Sequence, residues 1–111
     1  MATREVPRTE WRQELDLFSR EREGTPARLE IRAAGGTRTE ARELPFHGAS
    51  LDSPQSSRIE ISMGDKPDDH VTHEITDAVS VSIDDSAKPG GRLEVKGADG
   101  TTATVEFAGK Q

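Results

Sequence analysis

From residue 27 onward the apolar side chains recur at every second position, and that alternation limits the chain to a fold of half-buried β-strands. Leu29 and Ile31 open the series. Ile59, Ile61 and Met63 follow, then Val71, His73 and Ile75, then Val79, Val81 and Ile83, then Leu93 and Val95, and last Ala103, Val105 and Phe107. The stretch from Arg38 to Phe46 breaks the rule. Ala41, Leu44 and Phe46 do not share one parity, and Pro45 lacks the donor that a ladder needs. A distortion near Leu44-Pro45 is therefore expected.

Ahead of the strands the period is that of a helix. Over residues 9–22, Trp11, Leu15 and Phe18 form one apolar stripe, with Arg12, Glu14, Asp16 and Arg20 elsewhere. Pro7 and Thr9, the latter as an N-cap, agree with a start there, and Gly24 with Pro26 ends it. A helix with one apolar face must dock. The reading is therefore mainly β with one N-terminal α-helix: a small, strongly bent antiparallel sheet, or a partly open barrel of the Sm-like or SH3-like kind, capped by the helix. One domain over 1–111 is expected, with the helix at about 9–22 and a meander at about 27–108.

One hairpin can be set in register. Pairing Leu93 with Val105 and Val95 with Ala103 keeps one apolar face and leaves Ala98-Asp99-Gly100 as a three-residue loop, with Gly100 at the left-handed position. Treating Asp99-Gly100 as a two-residue turn would put Val95 opposite Thr104 and split that face.

Composition removes several chemistries. The 111 residues hold no Cys, which excludes disulfides, thiolate catalysis and zinc-thiolate sites. Only 31% of the chain is hydrophobic, which permits one thin core, and no apolar run approaches a membrane span. No apolar run follows Met1-Ala2-Thr3-Arg4-Glu5, so a secretory signal is not expected and a cytoplasmic location is the default. The net charge of −6 arises in the C-terminal half and opposes nonspecific attraction to nucleic acid or anionic lipid.

The segment with most chemical content is Pro67-Asp68-Asp69-His70-Val71-Thr72-His73-Glu74-Ile75. A metal site would draw on His70, His73 and Asp69, with His47 from elsewhere. Residues three apart on a strand face opposite ways, so His70 and His73 share an ion only where the backbone bends. The simpler reading makes His73 a partly buried neutral imidazole, on the parity of Val71 and Ile75, and gives His70 a carboxylate partner in the loop. The acid pairs Asp68-Asp69 and Asp84-Asp85 read as turn residues. No nucleophile elbow, phosphate loop or zinc-protease motif is present, so no catalytic residue and no cofactor is assigned. Arg38, Arg42 and Arg58 would make a basic patch for RNA if their strands adjoin, although exposed stacking aromatics are not in evidence.

The order of V-P-R-T-E-W (Val6 to Trp11), F-S-R (Phe18 to Arg20), A-R-E-L-P (Ala41 to Pro45), P-D-D-H-V-T-H-E-I (Pro67 to Ile75) and A-D-G-T-T (Ala98 to Thr102) resembles a family of short bacterial proteins known as domain of unknown function 5335. The resemblance spans nearly the whole chain, and D-D-H-V-T-H is its most specific part. Glu23-Gly24-Thr25 departs from the His, Gly and Trp that often follow the helix in that family. Membership implies a bacterial source and supplies no activity. The leading expectation is a nonenzymatic module that binds a protein partner or self-associates through strand edges. The rivals are a metal-binding protein or metal-dependent enzyme at the His segment, and an RNA-binding small barrel.

Overall fold

The structure is a computed structural model that describes residues 3–33, 35–52, 57–64, 70–84 and 91–107, with residues 3 and 40–42 described by backbone alone. A short strand β1 (Thr3–Glu5) leads through a 3-10 turn (Arg8–Glu10) into the helix α1 (Trp11–Arg22). The strands that follow are β2 (Pro26–Ala33), β3 (Gly36–Leu51), β4 (Ile59–Met63), β5 (Val71–Ile75), β6 (Ala78–Asp84), β7 (Arg92–Gly97) and β8 (Thr102–Phe107). They form one antiparallel sheet in the order β1-β6-β7-β8-β2-β3-β4-β5. The architecture is the expected one, mainly β with one N-terminal helix and a bent sheet. The sheet stays open between its ends, β1 and β5, and does not close into a barrel.

The pairing divides the expected meander in two. β2 to β5 run consecutively, as do β6 to β8, but β5 and β6 are joined by Thr76-Asp77 without forming a ladder. β8 instead pairs with β2, setting Ala103 against Ile31, Val105 against Leu29 and Phe107 against Ala27. Each of those six side chains is buried, so this non-local pairing places two apolar faces on one core.

β3 bends where the sequence loses its parity. Glu43 has φ +58°, and the β2–β3 register shifts between Ala27 and Leu29 and again between Leu29 and Glu30. Beyond the bend β3 leaves β2 and pairs with β4, from Phe46 opposite Met63 to Leu51 opposite Ile59. One alternation is overturned. Val79 is 58% exposed, because the β6–β7 register shifts between Ala78 and Ser80 and the extra residue reverses the parity. Ala78, Val81 and Ile83 are the buried ones.

α1 covers the core with Trp11, Leu15 and Phe18, all buried. The Trp11 indole N–H donates to the Val6 carbonyl at 3.0 Å, which ties the helix start to the strand segment before it. Thr9 lies in the 3-10 turn rather than capping the helix; the cap position falls one residue later, at Glu10, with no side-chain cap bond, and α1 begins at Trp11. Phe18, Phe46 and Phe107 meet edge-to-face, with centroids 6.0, 5.6 and 5.1 Å apart, and the Arg22 guanidinium lies 4.1 Å from the Phe18 ring centre. Each aromatic pair in this geometry is worth about 0.5–1.5 kcal/mol beyond the area it buries.

The β7–β8 hairpin has the register read from sequence, Leu93 opposite Val105 and Val95 opposite Ala103. Its three-residue loop is closed by the Gly100 N–H donating to Gly97 O at 3.1 Å, with Gly100 at φ +92°. The Thr101 backbone N–H donates to Asp99 Oδ1 at 3.0 Å, and that bond is the main cause holding the Asp99 carboxyl below its ordinary range. A depressed carboxyl adds stability that is present above its unfolded value, about 3.9, and is lost as pH falls through the folded value. Asp99→Ala should therefore melt below the wild type at pH 7, with the gap closing as the pH is lowered. Equal melting temperatures at pH 7 would contradict this.

Gly91, at φ +85°, enters β7 so close to β6 that a Cβ there would overlap the Asp84 carbonyl oxygen, whereas nothing lies within 4 Å of one on Gly100. Gly100→Ala should cost about 1–2 kcal/mol from backbone conformation alone. Gly91→Ala should cost about 3 kcal/mol or more, because the backbone must also move. Urea midpoints of the two variants measure the difference, and equal losses would count against the close approach.

Candidate functional site

The strands bring some of the chemically distinctive residues together and separate others. His47 is the extra residue of a second β3 bulge, since Phe46 and Gly48 pair with the adjacent Met63 and Ser62. His70 stands just before β5, whose Val71 lies opposite the same Met63. The two rings therefore meet edge-on across the end of β4, with centroids 5.8 Å apart, and both residues are exposed. His73 lies with the inward-facing residues of β5 opposite Ile61, half-buried, and lines a hollow with Ile31, Arg38, Ile75 and Asp99. His70 and His73 thus occupy different places, as strand alternation requires.

Asp68, Asp69 and Asp85 lie outside the described residues. Asp84 is buried at the end of β6, with its carboxylate 4.0 Å from the Arg92 guanidinium. Among the described residues no three His or acidic groups gather as a metal cluster would require. Arg38 belongs to the hollow beside His73, Arg58 stands ahead of β4 near Glu60, and Arg42 is described by backbone alone.

The outward face of β3, β4 and β5 is a polar platform. Ser50, Glu60 and Glu74 lie side by side in one row, and Gly48, Ser62 and Thr72 in the next. Glu60 is pushed above the ordinary carboxylate range, first by a hydrogen bond with Glu74 and then by burial and the Glu74 charge, with Asp52 adding and Arg58 opposing. Directly opposed like charges destabilise a ladder, which is the physical reason that the Glu74 charge adds to the upward shift at Glu60.

Beside this platform runs a groove of about 720 Å³ between α1 and β3. Thr9, Arg12, Gln13, Asp16 and Ser19 form its helical wall, a spacing of three, one, three and three that keeps them on one stripe. His47, Gly48, Ala49, Ser50 and Leu51 form the other wall, with Ser62 from β4. The two walls meet where Ser19 Oγ donates to Ala49 O at 3.0 Å and accepts from Ala49 N at 2.9 Å. A Cβ on Gly48 would stand 3.6 Å from Ser19 Oγ, in ordinary contact, so the helix passes close beside β3 here. Asp16 is engaged by Arg20 one helical turn on. Arg12 forms no ion pair among the described residues.

Sequence reasoning singled out His47 but missed the groove. Its signals are present, a polar helical stripe at 9, 12, 13 and 16 and the small run Gly48-Ala49-Ser50. Nothing local says that the two face one another.

No described helix is long and apolar enough to cross a membrane. No curated protein and no solved structure matches the chain. One family model does, over residues 2–111, and by that match the chain belongs to DUF5335, a family of unknown function.

Proposed function

We propose that this chain is a protein-binding module whose groove between α1 and β3 receives an extended, polar segment of a partner. The observation that carries this is the shape and lining of the groove. Sites for small molecules are mostly apolar and enclose their ligand. This one is an open trough lined by hydroxyl, amide, imidazole and guanidinium groups, which suits a chain that brings its own polar groups.

The chemistry of the walls narrows the partner. The Asp16 carboxylate is held by Arg20, so the Arg12 guanidinium on the same wall is the charge left to meet a ligand. Thr9, Gln13, Ser50 and Ser62 can each exchange hydrogen bonds with a backbone or side chain lying between them. A segment carrying a carboxylate over Arg12, with polar residues on either side, fits these groups. His47, turned out by its bulge, reaches the same segment from the strand side.

The photo-crosslinker benzoylphenylalanine placed at Gln13 should capture one protein of discrete mass in the cells that make this chain. The same probe at exposed Val79, outside the groove, should capture none above background. Arg12→Glu should lower the Gln13 yield several-fold, the size of effect that reversing an ion pair of about 1 kcal/mol brings. Equal capture at the two positions, or a yield indifferent to Arg12→Glu, would overturn the reading.

A further inference from the structure

A sheet that stays open leaves two edges, and here the two are built differently. β1 is three residues long, a length that offers little to pair with. β5, the other end, has five residues, Val71–Ile75, in unbroken one-to-one register with β4. No proline or bulge interrupts it, and of the devices that prevent one edge from pairing with another it carries a single charged side chain, Glu74. Its outer edge pairs with no described strand.

We propose that this edge pairs with β5 of a second copy of the chain, antiparallel about a two-fold axis at His73. The side-chain sequence of β5 is complementary to itself in that register. Directly opposed residues in an antiparallel ladder share a face, so a register that joins the two sheets must match inward with inward residues. Centring on His73 does so over all five residues. Val71 then faces Ile75 of the partner subunit, an apolar pair on the core side. Thr72 faces Glu74 of the partner subunit on the outer side, a hydroxyl beside a carboxylate.

The neighbouring registers are poorer for reasons of charge and length. Centring on Glu74 would set two Glu74 carboxylates against each other, and each is already opposite Glu60 on its inner side, so four acids would stand in one row. Centring on Thr72 pairs only three residues within the strand. The His73 register alone uses the whole strand and gives Glu74 a neutral neighbour. The α1–β3 groove takes no part in this edge, so the inference stands apart from the binding function proposed above.

Because the chain has no cysteine, single cysteines report the register directly. Residues opposed at the dyad have Cα atoms about 4.5–5.5 Å apart, within the span that a disulfide bridges. Oxidised His73→Cys should give a covalent dimer, and Thr72→Cys and Glu74→Cys should not. The unaltered chain should show a species of twice 12.1 kDa in native mass spectrometry at high micromolar concentration. Exposed Thr72 tunes the contact, so Thr72→Lys should tighten the dimer and Thr72→Glu should weaken it by about tenfold, two symmetry-related charge pairs each contributing. A monomer throughout that concentration range, or a disulfide at position 72 or 74 in place of 73, would overturn the proposal.

Discussion

The structure depends on the place where α1 crosses the bend of β3, held by Phe18, Phe46 and Phe107. The three rings come from the helix, from the residue after the bend and from the last strand, so one cluster joins three elements far apart in sequence. Backbone bonds reinforce it: the Gly24 N–H donates to Phe46 O at 2.8 Å, and the Phe46 N–H to Thr25 O at 2.9 Å. With so little apolar side chain in the sequence, the chain concentrates it at this junction and along the strand faces below. The angle of the bend, the position of the helix and the width of the groove beside them are therefore set together.

The bend also determines which polar residues meet. Past Phe46, β3 turns its outward positions toward the polar stripe of α1 and, across β4, toward β5. The bulge at His47 brings that imidazole to His70, while His73 faces inward to the opposite hollow. Glu60 and Glu74 are opposed in the ladder, and a hydrogen bond with Glu74 raises the Glu60 carboxyl above its ordinary range. These are consequences of one backbone path rather than separate features.

Much of that path was legible in the residues themselves. The apolar stripe of Trp11, Leu15 and Phe18, the two-residue period of the strands, the irregularity at Leu44-Pro45 and the register of the last hairpin are all local patterns, and local patterns survive folding. An inserted residue leaves no such mark. Parity places Val79 in the core, yet it lies outside, because a bulge shifts the alternation without altering the composition. The pairing of β8 with β2 and the facing of α1 by Gly48-Ala49-Ser50 depend on long-range closure, which no short pattern encodes. The same limit applies to the site: His47 and His70 stood out by residue type, but their contact across β4 belongs to the tertiary fold.

Amide hydrogen exchange on Phe18→Leu tests the dependence on this junction most directly, since the variant keeps an apolar side chain but removes the ring at the centre of the cluster. The account predicts faster exchange at α1 and at the Phe46 and Ala49 amides, which bond to Thr25 and Ser19, while the β6–β7–β8 ladder keeps its protection. Protection lost evenly over the whole sheet, or unchanged at Phe46 and Ala49, would contradict it.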